Sequence, residues 1–253
     1  AEVVIFSQQG NGTCIISNTS LSAVQSESKV STALSVMNTT SFTLTHFKMV
    51  QNLVCGALFE NTKITINDSH FLNNQCLPQG NALPLAILTT TLSEGIVIDD
   101  STFENNVALS GSIFFMNATS AINNLKFVAN QAVQGAAIFS AGANWTAKNV
   151  TFSDNNGMAM GGALMITQSS AYIDNCTFNH NQAPEGAAVV IRDANEIKIS
   201  NSIGIRNNST NGSFINAEGE NLLLTLENVE VDESFDNSMF VQFPEKVVLK
   251  NAK

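Results

Sequence analysis

Charge is scarce in this chain. Only 13% of its 253 residues are Asp, Glu, Lys or Arg, about half the share typical of soluble domains. Arginine is nearly missing, with Arg192 and Arg206 alone, and the net charge is −10. An acidic chain with no basic cluster argues against nucleic acid or an anionic membrane surface as partner. No apolar run reaches the roughly 18 residues a membrane span needs, so no membrane insertion is expected. Cysteine is limited to Cys14, Cys55, Cys76 and Cys176. Four are too few for a disulfide scaffold, and their spacing does not fit a metal site. Tryptophan and tyrosine occur once each, as Trp145 and Tyr172. With no initiating Met and no basic-then-apolar leader, Ala1 is read as a start set either by processing or by how the chain was cut.

What replaces charge is uncharged polarity. Asn, Ser and Thr fill roughly three in ten positions beside a hydrophobic fraction of 44%, enough for a sizeable core. The 32 asparagines generate eleven N-x-S/T sequons, at Asn11, Asn18, Asn38, Asn67, Asn117, Asn144, Asn149, Asn175, Asn207, Asn208 and Asn211. Chance alone gives roughly six at this composition, so the excess points to a glycosylated protein outside the cell or on its surface.

Aligning the chain with itself reveals a repeat of about 25 residues. Phe71-Leu-Asn-Asn74, Phe103-Glu-Asn-Asn106, Phe127-Val-Ala-Asn130, Phe152-Ser-Asp-Asn155 and Phe178-Asn-His-Asn181 form one block. A second block follows most of them as Gly111-Ser-Ile-Phe, Gly135-Ala-Ala-Ile, Gly161-Gly-Ala-Leu, Gly186-Ala-Ala-Val and Gly212-Ser-Phe-Ile, and Gly56-Ala-Leu-Phe stands in the same relation to Phe47. Successive Phe positions from 47 onward are spaced 24, 32, 24, 25 and 26 residues apart, the long step containing the Pro/Gly segment 76–84. Before each Phe runs a short alternating apolar segment, such as Ile64 and Ile66 or Ile96 and Ile98. Period-2 patterning in stretches of four to six residues means strands. Such a repeat cannot bury its own face, but stacked about 4.8 Å apart its like residues align in columns.

The expectation is an all-β, single-stranded parallel β-helix, right-handed, of about nine coils of 24–26 residues. It forms one domain over 1–253, with degenerate coils at 1–40 and 218–253 and regular repeats over 41–217. The core column is expected to hold Phe47, Phe71, Phe103, Phe127, Phe152 and Phe178. Asn74, Asn106, Asn130, Asn155 and Asn181 are expected to take left-handed turns and bond up a ladder. Cys55 and Cys76, near one edge of adjacent repeats, are candidates for a bridge. Cys176 replaces Leu125 and Val150 and reads as a buried thiol.

The fused pattern Phe127-Val-Ala-Asn-Gln-Ala-Val-Gln-Gly-Ala-Ala-Ile138, repeated as Phe178-Asn-His-Asn-Gln-Ala-Pro-Glu-Gly-Ala-Ala-Val189, resembles the repeat of the chlamydial polymorphic outer membrane proteins. The resemblance covers roughly residues 41–217. It implies a β-helical passenger region acting in host-cell adhesion. Similar repeats occur in surface proteins of other microbes, protists included. The family's C-terminal barrel does not follow here, so its secretion route does not carry over.

Candidate chemistry is sparse. Asp99 and Asp100, adjacent on a strand, point to opposite faces. Asp99 and Asp174 share a phase three coils apart, about 14 Å, beyond the roughly 5–10 Å of a carboxylate pair in glycoside cleavage. Asp154 sits at a turn. His46 and His70 precede column positions and are expected to stack outside neighbouring coils, with no third ligand above them. The outward columns, Ser41, Thr65, Val97, Ala121, Thr146, Tyr172 and Thr43, Asn67, Asp99, Asn123, Lys148, Asp174, are too mixed for an ice-binding ladder. No cofactor is expected.

The strand after the Gly block is the most informative surface. With Phe114, Ile138, Leu164 and Val189 pointing inward, Phe115, Phe139, Met165 and Val190 point outward beside Ile113, as an apolar stripe of the kind that marks contact surfaces. The expected function is a non-enzymatic, structural-adhesive module whose stripe meets a host or self protein surface or glycans. Its rivals are a subunit stacking end to end into a filament and, more weakly, a polysaccharide-active enzyme.

Overall fold

The computed structural model describes residues 6–10, 12–23, 32–76, 86–211, 213–232, 239–242 and 244–252. Within them every regular element is a strand, and every pairing between strands is parallel. The strands build four sheets of ten, ten, nine and six strands, and a strand's partner lies one repeat away in the chain. This is a parallel β-helix, and its coil number is close to the nine expected. Each regular coil runs through sheet 1 (Ile138–Ala141 in one coil), sheet 2 (Asn144–Lys148), sheet 3 (Thr151–Ser153) and sheet 4 (Asn156–Met160) before returning to sheet 1 at Leu164–Thr167. The sequence segment 76–84 lies, apart from Cys76, outside the described residues.

Short strands need turns, and the turns repeat as tightly as the strands. Three columns of left-handed residues mark the corners. Asn38, Asn61, Leu92 and Asn117 lie between sheets 1 and 2, Asn124, Asn149, Asn175 and Asn201 between sheets 2 and 3, and Asn73, Asn105, Ala129, Asp154 and His180 between sheets 3 and 4, all with φ from 47° to 57°. Asn tolerates this conformation, because its short side chain bonds locally. The ladder asparagines do not hold it themselves: in each case the residue before them does. Freed of that task, Asn74, Asn106, Asn130, Asn155 and Asn181 point inward, fully or almost fully buried. Each accepts at Oδ1 from the backbone N–H and the side-chain amide of the Asn one coil earlier, as Asn130 does from Asn106 at 3.1 and 3.0 Å. Asn52 and Asn207 extend the ladder at its ends.

The Phe column stacks as expected from Phe71 to Phe178, with ring centroids 4.6–5.4 Å apart and nearly parallel planes. Phe47 is the exception. Register pairs Met49, not Phe47, with Phe71, so this coil is two residues shorter than the Phe spacing suggests. Phe47 follows the left-handed His46 at the corner and reaches Phe71 obliquely, at 6.1 Å and 54°. Where Gly204 interrupts the column, Phe214 fills the space edge-on to Phe178 at 5.7 Å. Cys176 is buried at a position held by Val150 and Ser202 in the adjacent coils and by Ser69 and Ser101 in earlier ones. These serines bond back to the carbonyl two residues earlier at 2.7–2.9 Å, and the Cys176 thiol copies that contact to Asp174 at 3.3 Å.

Candidate contact surfaces

Sheet 1 does not present the expected stripe. Register sets Ile113, not Phe114, beside Ile138, because the corner after Gly111 is one residue shorter than that after Gly135. Ile113 and Phe115 therefore point into the core and are fully buried. Phe114, Phe139, Met165 and Val190 do share the outward column, yet only Phe139 keeps partial exposure while the other three are buried. The cover is the corner itself. Gly111, Gly135, Gly161 and Gly186 take φ of 71°, 54°, 65° and 60° and fold the chain back over the sheet. A Cβ on Gly135 would lie 2.8 Å from Met165 Cβ, and one on Gly186 would lie 2.5 Å from Val190 Cγ2. Further along, Glu185 on this corner takes a hydrogen bond from Asn216 at 2.9 Å and an ion pair from Arg192, which also holds Glu218.

Outward apolar residues on adjacent coils occur instead on the outer side of sheet 4. Ala108, Ala132 and Gly157 face inward in one column, which turns their neighbours Leu109, Val133 and Met158 outward over three coils. Leu109 and Val133 are half-buried, and Met158 is 47% exposed. Sequence pattern alone hid this strand, because it is short and a register shift lies between Ala132 and Gln134.

Sheet 2 carries a shallow groove of about 440 Å³, lined among others by Asn144, Trp145, Thr146, Ser170, Tyr172 and Lys198. Trp145 faces inward, almost fully buried and 6.2 Å from the Phe115 ring, where the small Ser140 in the same coil leaves room. Tyr172 faces outward and is 41% exposed, with Lys198 Nζ 5.5 Å from its ring centroid. Lys198 in turn meets Glu227 at 3.0 Å. Asp99, Asn123, Lys148 and Asp174 occupy one outward column as expected, with Asp99 three coils from Asp174. Ser200 and Asn201 each donate to Asp174 at 2.8 Å and hold its carboxyl below the usual range. It is therefore charged at neutral pH and badly suited to donating a proton.

The outward column of sheet 2 runs Thr43, Thr65, Val97, Ala121, Thr146, Tyr172. Thr43 belongs with Thr65, and Ser41 lies two residues before it. His46 and His70 do not stack, since Lys48 is the partner of His70. His46 Nε2 pairs with Asp68 at 3.3 Å, and the three residues share a shallow depression with Lys48. Among the described residues, no group of three His, Cys, Asp or Glu is placed to hold a metal. Cys55 and Cys76 form a disulfide with Cα atoms 4.3 Å apart, while Cys14 and Cys176 are free.

The sequons divide by environment. Asn18, Asn38, Asn117, Asn144, Asn149, Asn175, Asn208 and Asn211 are exposed, Asn67 is half-buried, and Asn207 is wholly buried in the ladder. Asn11 lies outside the described residues.

These features define a parallel β-helix of stacked coils. No protein-family model matches the chain, and neither does any curated protein sequence. Among solved structures it is similar to QnrB1, a plasmid-mediated fluoroquinolone resistance protein, at 13% identity over 88% of this chain and 89% of that one, with a TM-score of 0.31. It is also similar to PfbA, a surface adhesin of Streptococcus pneumoniae, at 9% identity over 85% of this chain and 71% of that one, with a TM-score of 0.26.

Proposed function

We propose that this β-helix is a non-enzymatic contact module, outside the cell or on its surface, that binds a protein through the outer column of sheet 4. The observation that carries the reading is the outward turn of Leu109, Val133 and Met158 on adjacent coils, with Met158 47% exposed. Apolar groups clustered on one outer face mark contact surfaces more often than isolated ones do. The non-enzymatic part is supported by the three-coil separation of Asp99 from Asp174 and by the hydrogen-bonded, charged state of Asp174. The sequon excess supports the extracellular part.

The test is sedimentation and electron microscopy over a hundredfold range of concentration, followed by a screen against cell-surface proteins. Met158→Asp is expected to abolish whichever association appears without lowering thermal stability. Association that survives both Met158→Asp and Leu109→Asp would refute the assignment of this face.

A second reading is axial stacking, by further coils or another copy. It is favoured by Leu249, which occupies the inward column above Leu226 yet is 55% exposed. Leu249→Asp would then weaken association while Met158→Asp left it intact.

A further inference from the structure

We propose that Asn144 carries an N-linked glycan whose first sugars lie in the groove of sheet 2 against Tyr172. The inference rests on the extracellular placement above and not on the sheet 4 column.

The sequon Asn144-Trp145-Thr146 opens the strand Asn144–Lys148, whose residues alternate between solvent and core. Alternation sends Trp145 inward and leaves Asn144 and Thr146 exposed together on one face, at the rim of the groove. Among the described residues the Asn144 amide makes no side-chain hydrogen bond, whereas the amides of Asn149, Asn175 and Asn207 are engaged. Asn149 and Asn175 donate Nδ2 along the corner column at 3.0 and 2.7 Å. Asn207 donates Nδ2 to the Phe178 and Ile205 carbonyls at 2.9 and 3.2 Å, inside the core. Asn144 therefore offers an accessible nitrogen that no ladder depends on.

The groove supplies the seat. Thr146 pairs with Tyr172 on the next coil, so the Tyr172 Cα stands one strand over and two residues along from Asn144. At strand spacings of about 4.8 Å and 3.3 Å per residue, that diagonal is about 8 Å. A pyranose linked to Asn144 Nδ2 spans this gap and lays its C–H face on the exposed ring. Its hydroxyl edge then turns to Ser170 and Glu196, which line the same groove. In the modification, Asn144 Nδ2 attacks C1 of an oligosaccharide activated as a polyprenyl diphosphate. The N–C1 bond forms as the C1–O bond to the diphosphate breaks, and the amide proton leaves with the released polyprenyl diphosphate. One N–H remains on the modified amide.

The protein is secreted from insect cells, deglycosylated with an amidase in heavy-oxygen water, and peptide-mapped by mass spectrometry. Asn144 is expected to be occupied and Asn207 empty. The seat is read from the rate at which the amidase removes the Asn144 glycan from the native protein. Tyr172→Ala should leave occupancy unchanged and speed removal about three- to tenfold, the equivalent of one lost ring contact. Met158→Asp, which tests the sheet 4 reading, should change neither quantity. An empty Asn144 in protein modified at Asn208 or Asn211, or a protein with no glycan at all, overturns the site. Equal removal rates with and without the Tyr172 ring overturn the seat.

Discussion

Removing the side chain of Asn130 tests the ladder at its centre. Asn130 is fully buried and takes part in four side-chain hydrogen bonds. Its Oδ1 accepts from the backbone N–H and the amide of Asn106 at 3.1 and 3.0 Å. Its Nδ2 donates to the Phe103 carbonyl at 2.9 Å and to Asn155 Oδ1 at 3.0 Å. Alanine strands the Asn106 backbone N–H in the core at about 1–3 kcal/mol, and each of the three other lost bonds adds about 0.5–1.5 kcal/mol. The neighbours are only weakened, since Asn106 still donates to the Phe71 carbonyl and Asn155 still accepts from the Asn130 N–H. The sum is about 2.5–7.5 kcal/mol, a large part of the 5–15 kcal/mol that ordinarily holds a domain together. The loss therefore rivals that of Phe127→Ala, which opens a void in the ring stack at about 3–5 kcal/mol.

The matched control is Asn124→Gly, at the exposed corner. It removes bonds to Asp100 and Asn149 of 3.0 Å each while keeping a residue suited to φ of 56°, and should change stability by no more than about 0.5 kcal/mol. Urea unfolding followed by circular dichroism measures both variants. If Asn130→Ala loses less than about 1 kcal/mol, the worth of a single bond, the buried ladder does not hold the coils together as described.

Ala129 holds φ of 53° where other coils use Asn73 and Asn105, so Ala129→Asn should relieve strain and stabilise by up to about 1 kcal/mol, read as a higher urea midpoint. The Cys55–Cys76 bridge closes 21 residues of chain, and its reduction should lower stability by about 3 kcal/mol on chain-entropy grounds, read as a lower melting temperature with reductant. Burial pushes the Cys176 thiol up to about 12, so it should resist iodoacetamide at pH 8 until the protein is unfolded. Because its pKa is raised on folding, the folded state keeps its proton where the unfolded chain has lost one. Its contribution to stability is thus full below pH 9 and is lost between pH 9 and 12. A Cys176→Ser variant should show a shallower decline over that window in urea midpoints.

The repeat period, the stacking of coils and the Phe71-to-Phe178 column were legible in the sequence, because like residues recur at a fixed interval and only stacking buries them. The outward column of Asp99, Asn123, Lys148 and Asp174 followed from the same periodicity. Three things were decided only by the tertiary structure. Register is one: a corner shorter by one residue after Gly111 turns over every side chain of the strand that follows, which sent Ile113 and Phe115 into the core. Cover is the second, since alternation tells which side of a strand a residue takes but not whether another segment lies there, and the positive-φ glycines fold the chain over Met165 and Val190. The third is the division of labour in the turn. Sequence shows two adjacent polar residues, as in Asn73-Asn74 or Asp154-Asn155, and does not say which one bends the backbone. Only when the coils are stacked does the first take the left-handed corner and the second turn inward, because there an amide meets its own copy one strand away and every buried polar atom in the ladder finds a partner.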